Sequence, residues 1–226
     1  MHMDGKILQF ESLKNISALK HGLILRNNKI PVNCNKAEAV HRLRPYYEKM
    51  VFELGFSADN LCLAEQIHGN LVSTVDEPRG FNSPMPKADG LITFQKGVIL
   101  GIFVADCCAV LIADRRGSGV SIVHSGRGGS ELGIVKNAIR KFNEHGIDSS
   151  DLIVQLSPCI RPPAYEIDFS ATIITDCLSC GVPKESIFDT NECTSLNLEK
   201  FYSYRAENGK TGRLLGLIGI ENGAVN

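Results

Sequence analysis

Cys107 and His124 are a thiol and an imidazole seventeen positions apart, and their types most directly permit chemistry in this chain. That separation is too long for one turn or one helix face, so they share a site only if neighbouring strands bring them together. A third donor, His68, stands in Glu65-Gln66-Ile67-His68-Gly69-Asn70, a turn between two apolar segments in which Gly69 is expected to let the backbone bend. Two imidazoles and a thiolate are a ligand set that zinc accepts, with the fourth coordination position left for water or substrate. Such an ion lowers the pKa of its water towards ~7 and makes hydroxide available at neutral pH; copper binds the same donors. The residues alone also fit a plainer reading, in which the histidines are satisfied polar groups at strand ends and Cys107 is a small buried hydrophobe. Because successive strand residues point to opposite faces, only one of Cys107 and Cys108 can face a given site.

Ser125-Gly126-Arg127-Gly128-Gly129-Ser130 runs into a helix expected to start near Glu131. Its amides and Arg127 suit a phosphate, although Glu131 brings negative charge to the same place. The stretch equally suits a tight strand-to-helix turn, since it matches neither the P-loop nor the dinucleotide fingerprint. Asp89 and Asp106 border apolar strands, where a buried acid needs a partner. Each suits a proton-moving role or a hydrogen bond to a ligand histidine, and each suits a loop cap equally well. Arg161 and Arg213 follow turn-forming residues, so each either reaches into a cleft or pairs with a surface acid, the surface reading being favoured on base rates.

These side chains need elements to carry them. VILGIFVAD, AVLIAD and GVSIVH are apolar, β-branched-rich runs that suit buried strands, the first ending in Ala105-Asp106-Cys107-Cys108 and the third in His124-Ser125-Gly126. Earlier apolar runs around Ile7 to Phe10 and Gly22 to Leu25 read as strands. Asn35 with Glu38 reads as the N-terminus of a helix that Pro45 kinks or restarts and Gly55 ends. Between Leu61 and Thr93 lie short apolar segments separated by polar and proline turns. A clear helix is expected over Ser130 to His145, stopped by Gly146. LIVQL then reads as a strand and Ser170 to Cys180 as a helix, while the type of Arg213 to Ile220 stays open. The mixture, not strictly alternating, indicates an α/β or α+β layered fold.

At 226 residues with no linker-like stretch, one domain over 1–226 is expected. Lys and Arg (24) nearly balance Asp and Glu (25), so the chain carries no electrostatic footprint for nucleic acid. The eight cysteines read as reduced thiols of a cytoplasmic protein, because MHMDGKILQF lacks the pattern of a secretory leader. Asp106 and Asp114 interrupt the longest apolar candidate for a membrane span, so no membrane role is expected.

EQIHGN, KADGLIT, VADCCAVLIAD, VHSGRGG, SPCIRPPAYEID and FYSYRAENGKTGRLLGLI, in that order, resemble the laccase-domain (multicopper polyphenol oxidase-like) family, also described as bacterial purine nucleoside phosphorylases. The resemblance runs from about His21 to Ile220. It implies a catalytic metal site at His68, Cys107 and His124, substrate contacts from Arg26, Gln66, Asp106 and Arg127, and a zinc cofactor, with copper the other candidate. It also implies mixed sheets flanked by helices in a cysteine-hydrolase-like fold resembling the catalytic domain of cytotoxic necrotizing factor toxins. The implied activity is zinc-dependent cleavage of adenosine, inosine, guanosine or methylthioadenosine by phosphate, together with adenosine deamination. Copper-dependent phenol oxidation ranks lower, because coupled reduction of dioxygen needs several coppers and the chain has six histidines, two in the matching blocks. The residues also admit cysteine-dependent amide hydrolysis, with Cys107 as nucleophile and His124 as base, which the resemblance links to cell-wall precursor editing, and a non-catalytic metal-binding or partner-regulating protein. The chain departs from the family where HAGWRGT is HSGRGGS, where the residue after the ADC block's variable position is Ala109 rather than proline, and where Pro163-Ala164 replaces a cysteine pair. SYRAENG lacks a second arginine, and HGLILRNNKIPVN keeps Arg26 but loses a Gly- and Ser-rich substrate loop.

Overall fold

A computed structural model describes residues 6–83 and 85–222; residues 1–5 of the leader reading and Pro84 of the NSPMPKADG turn lie outside it. Continuous apolar runs, buried on both faces in the central strands, build two mixed sheets. The strands are β1 (Ile7–Leu8), β2 (Leu19–Ile24), β3 (Leu61–Leu63), β4 (Val72–Thr74), β5 (Gly90–Thr93) and β6 (Ile99–Val104). They continue as β7 (Cys108–Asp114), β8 (Val120–Ser125), β9 (Leu152–Leu156), β10 (Ile187–Asp189) and β11 (Leu214–Ile220). One sheet has the order β1-β2-β11-β6-β3 and the other β10-β9-β7-β8-β5-β4. Each is antiparallel at its centre, with β3 parallel to β6 in the first and β10 and β4 parallel to their neighbours in the second. The arrangement is thus a mixed α+β fold with two sheets flanked by helices, as the residue pattern indicates.

The sheets stack face to face. Leu111, Ala113 and Ile122 of the second sheet share one core with Ile102, Leu215 and Leu217 of the first. Gly216 of β11 is required at this interface, because a Cβ there would meet Ala109 Cβ at 2.9 Å and Ile122 Cδ1 at 3.0 Å. Helix α1 (Lys36–Glu53) lies against the first sheet, its Tyr47 ring 5.5 Å from that of Phe103 and its hydroxyl donating to the Arg213 carbonyl at 2.7 Å. Asn35 caps α1 by accepting from Glu38 N at 3.0 Å, and Gly55 follows its end in the left-handed region (φ 93°). Pro45 is accommodated within one continuous helix.

On the opposite face of the second sheet, Val110, Ile112, Val123 and Val154 pack against α3 (Ile134–Glu144) and α4 (Phe169–Ser179). The helix expected over 130–145 is divided. A short α2 (Arg127–Glu131) starts directly after Gly126, and Gly133 in the left-handed conformation (φ 68°) breaks the ladder before α3. The last segment, open from sequence, is β11, the central strand of the first sheet. None of the described helices is long and apolar enough to cross a membrane.

One connection positions the site. The strand expected to run through Asp106 and Cys107 stops at Val104, and β7 begins at Cys108, so residues 105–107 carry the chain from one sheet to the other. Asp106 turns this corner with φ 81°. Its carboxylate accepts from Thr194 Oγ1 (2.7 Å) and Arg205 N (2.6 Å), and its carbonyl accepts from Ile160 N (2.8 Å). Three long-range bonds therefore hold a backbone conformation that non-glycine residues seldom adopt.

Candidate metal centre and its pocket

The antiparallel register of β7 and β8 sets Ala109 opposite His124 and Cys108 opposite Ser125. Cys107, just before β7, is thereby delivered to the end of β8 where His124 stands. His68 arrives from the loop after β3, its ring centroid 4.9 Å from that of His124 in an edge-on arrangement. The candidate ligand atoms of His68, Cys107 and His124 all lie within 4.8 Å of one another. Three donors this close suit one ion, whose bonds to them would be about 2.0–2.3 Å. Cys108 points the other way, fully buried in the second core, so one of the two cysteines faces the site.

Asp89 organises the histidines. Its Oδ1 accepts from the His68 backbone N–H (2.9 Å) and pairs with His124 Nδ1 (2.9 Å). Its Oδ2 accepts from Ile67 N (3.1 Å) and Gly69 N (2.7 Å). The Asp89 carbonyl accepts from His124 N at 2.6 Å. The three consecutive N–H groups form a cradle around the carboxylate, and the left-handed residue of the turn is His68 itself (φ 61°) rather than the expected Gly69. Burial raises the Asp89 pKa, but the bonds from His124, Gly69 and His68 outweigh it and hold the carboxyl below its usual range. His124 is shifted down, first by burial, against the raising effect of Asp89, so its ring is neutral at pH 7. With Nδ1 committed to Asp89, Nε2 is the nitrogen left for a ligand, the arrangement of a metal-bound histidine with its carboxylate partner. Among the described residues neither His124 Nε2, the His68 ring nor the Cys107 thiol makes a hydrogen bond to protein, and the donor set suits zinc or copper.

Burial, with Asp106 second, pushes the Cys107 thiol up to about 12. Gly126 lies over this sulfur; a Cβ there would collide with Cys107 Sγ.

The three donors open into a cavity of about 740 Å³, lined also by Phe103, Tyr165, Phe169 and Tyr204 and by Lys36, Arg127, Arg205 and Arg213. Of the expected substrate contacts, Gln66, Asp106 and Arg127 line this cavity and Arg26 does not. Gln66 uses both ends of its amide on the Phe103 backbone, donating at 2.7 Å and accepting at 3.2 Å. Arg127 is exposed and paired with Glu131 (2.9 Å). Arg26 borders a second cavity and pairs with Glu207 (2.9 Å).

The surface expectation for Arg161 and Arg213 is overturned. Arg161 is largely buried against Asp189 and Ser170, and Arg213, 8% exposed, forms a wall of the main cavity. Both are drawn inward because β11 is central and because the chain after β9 folds over the sheet end. Lys36 carried no signal, being the first residue of a helix remote in sequence from every block. Tyr165 and Arg205 lie within SPCIRPPAYEID and FYSYRAENG and were legible only as members of those blocks.

A family model described as multi-copper polyphenol oxidoreductase laccase matches residues 32–175 and 166–221. A protein of Corynebacterium glutamicum named purine nucleoside phosphorylase is 29% identical over 191 residues, covering 73% of this chain and 76% of that one. Another so named, YlmD of Geobacillus stearothermophilus, is 27% identical over 231 residues, covering 85% and 82%. The crystal structure of YlmD superposes with a TM-score of 0.84 at 23% identity, covering 96% of this chain and all of that one, a likeness of fold.

Proposed function

Because this chain belongs to the multi-copper polyphenol oxidoreductase laccase family, we propose that it is a zinc-dependent enzyme that cleaves purine nucleosides with phosphate, the activity for which its relatives are named. The observation that carries this reading is the cavity in which His68, Cys107 and His124 stand beside aromatic and cationic walls. Its substrates are adenosine, inosine, guanosine or methylthioadenosine, with adenosine deamination a companion activity. The likeness to the cytotoxic necrotizing factor catalytic domain belongs to the same reading.

A zinc ion held by His68, Cys107 and His124 supplies Lewis acidity at the reacting end of the cavity. Burial keeps His124 neutral, while Asp89 holds its Nδ1 so that Nε2 is left for that end, and fixes the His68 turn. Tyr165 and Tyr204, which line the cavity, suit stacking of a purine base. In phosphorolysis the bond from the sugar anomeric carbon to the purine nitrogen breaks, a phosphate oxygen bonds to that carbon, and the purine takes up a proton. The positive side chains of the walls suit the incoming phosphate and the charge it carries.

Two rival reactions are less well supported. A cysteine nucleophile works as the thiolate, and burial pushes the Cys107 thiol up to about 12, whereas a bound metal ion would itself deprotonate a thiol ligand. Multi-copper oxidation needs further copper ligands, and among the described residues these three form the one group of three or more able to hold an ion.

The test is to incubate zinc-loaded protein with inosine or adenosine, with and without phosphate, and to follow the free purine by chromatography. Phosphate-dependent release of the base that disappears in Cys107→Ala supports the reading. No product from metal-loaded protein on any of the four nucleosides refutes it and favours a non-catalytic metal-binding role.

A further inference from the structure

The cations around the main cavity are not equivalent. Arg127 is offset by Glu131 (2.9 Å), and Arg205 lies near Glu166 (3.6 Å) and over the Tyr165 ring (5.7 Å). Two others, Lys36 at the rim and Arg213 in the wall, make no ion pair among the described residues. Arg213 Nη1 donates to the carbonyls of Thr211 (2.9 Å) and Gly212 (2.8 Å), and its guanidinium lies 5.8 Å from the Tyr204 ring centroid. Its Nε and Nη2 make no protein hydrogen bond among the described residues, although the residue is only 8% exposed. A largely buried guanidinium with a free N–H edge calls for an anion. The nearest carboxylates do not meet that need: Asp106 is engaged by Thr194 and Arg205 N, and Asp89 by four donors.

We infer that Lys36 and Arg213 form a binding subsite for a tetrahedral phosphoryl oxyanion beside the His68-Cys107-His124 group, the guanidinium supplying a two-pronged edge and the ammonium a mobile second charge. Crowding by protein atoms and then the charge of Arg213 hold the Lys36 pKa below the usual lysine range, consistent with two cations facing one space. This rests on the nucleoside reading for its ligand and moves the anion contact from Arg26, which borders another cavity, and from Arg127, which is paired with Glu131, to Lys36 and Arg213. The phosphoryl group is either free inorganic phosphate or the phosphate of a nucleotide, which present the same oxygens.

The experiment is calorimetric titration of zinc-loaded full chain with inorganic phosphate and, separately, with adenosine 5′-monophosphate. It compares wild type, Lys36→Met, Lys36→Arg and Arg213→Lys, with zinc content measured for each. Lys36 starts a helix at the solvent-facing rim, so its replacement tests the site even if Arg213→Lys fails to fold. Loss of one charge-assisted contact weakens phosphate binding about tenfold or more, with Lys36→Arg restoring it and zinc content unchanged. The same loss confined to the monophosphate supports the subsite and assigns it to a phosphorylated substrate. Affinities for both ligands within twofold of wild type in Lys36→Met overturn the inference. Because binding is read without turnover, inactivity towards nucleosides would refute the proposed reaction without touching the subsite.

Discussion

Replacing Asp89 with asparagine keeps the shape of the side chain and exchanges one of its two oxygens for an NH2 group. Each oxygen serves two donors: Oδ1 takes His68 N and His124 Nδ1, and Oδ2 takes Ile67 N and Gly69 N. In either amide orientation one pair of donors therefore faces a donor. If the carbonyl keeps the histidine pair, the turn carrying His68 is released; if it keeps the turn, His124 loses the partner that orients Nε2. Asp89 is fully buried, and each buried unsatisfied N–H costs about 1–3 kcal/mol. Two of them give roughly 2–6 kcal/mol, with about 2 kcal/mol expected because the half-exposed turn relaxes to meet water. A domain stabilised by about 5–15 kcal/mol survives that loss. Zinc affinity is expected to fall about 10–100-fold, the usual cost of removing an outer-shell partner. A chromophoric chelator competition measures the affinity, and urea unfolding of the metal-free protein measures stability. A zinc affinity within twofold of wild type, with folding intact, would refute the claim that this carboxylate positions two of the three ligands.

Cys107→Ala should abolish stoichiometric zinc binding. In wild type with free zinc at 100 times its Kd, a chelator should remove about 2.7 kcal/mol of stability; an unchanged unfolding midpoint would contradict a native-state site. Gly126→Ala pushes a methyl onto the Cys107 sulfur, so zinc affinity should drop well before stability does, read by the same competition. His21 is 2% exposed, its Nε2 accepts from Phe10 N (2.9 Å), and its Nδ1 is buried without a partner. Burial, the largest cause, lowers its pKa from 6.5 to about 4, so the unfolded chain binds the extra proton first and stability falls as pH drops from about 6.5 to 4. The full loss is about 3 kcal/mol. Urea titrations at pH 7 and pH 4 should show this slope reduced in His21→Gln, and equal slopes would refute it. Leu111→Ala, at a fully buried position between the sheets, should cost about 2–5 kcal/mol by urea unfolding.

Much of the site was readable before any fold was known, because its donors are rare residue types at strand and turn boundaries. The strand runs, the Asn35 cap and the glycine stops at 55 and 146 follow from local preferences that the tertiary structure did not override. The division of the 130–145 helix is not legible in the sequence because Gly133 is tolerable in a helix, and nothing local marks its left-handed conformation. Arg161 and Arg213 were misplaced because base rates describe an average arginine, whereas β11 and the chain over the sheet end draw these two inward.

The sequence by itself determined the layered α+β pattern and nominated Cys107, His124, His68 and Asp89. Periodicity and donor chemistry are properties of residues and their near neighbours. Only the tertiary structure decided that β6 and β7 belong to different sheets, and that the corner at Asp106 therefore presents Cys107 to the end of β8. It likewise decided that Asp89 links His68 to His124 and that Lys36 and Arg213 face one cavity. Those relations join segments far apart in the chain, and long-range strand pairing and shared burial fix them in ways no local pattern encodes.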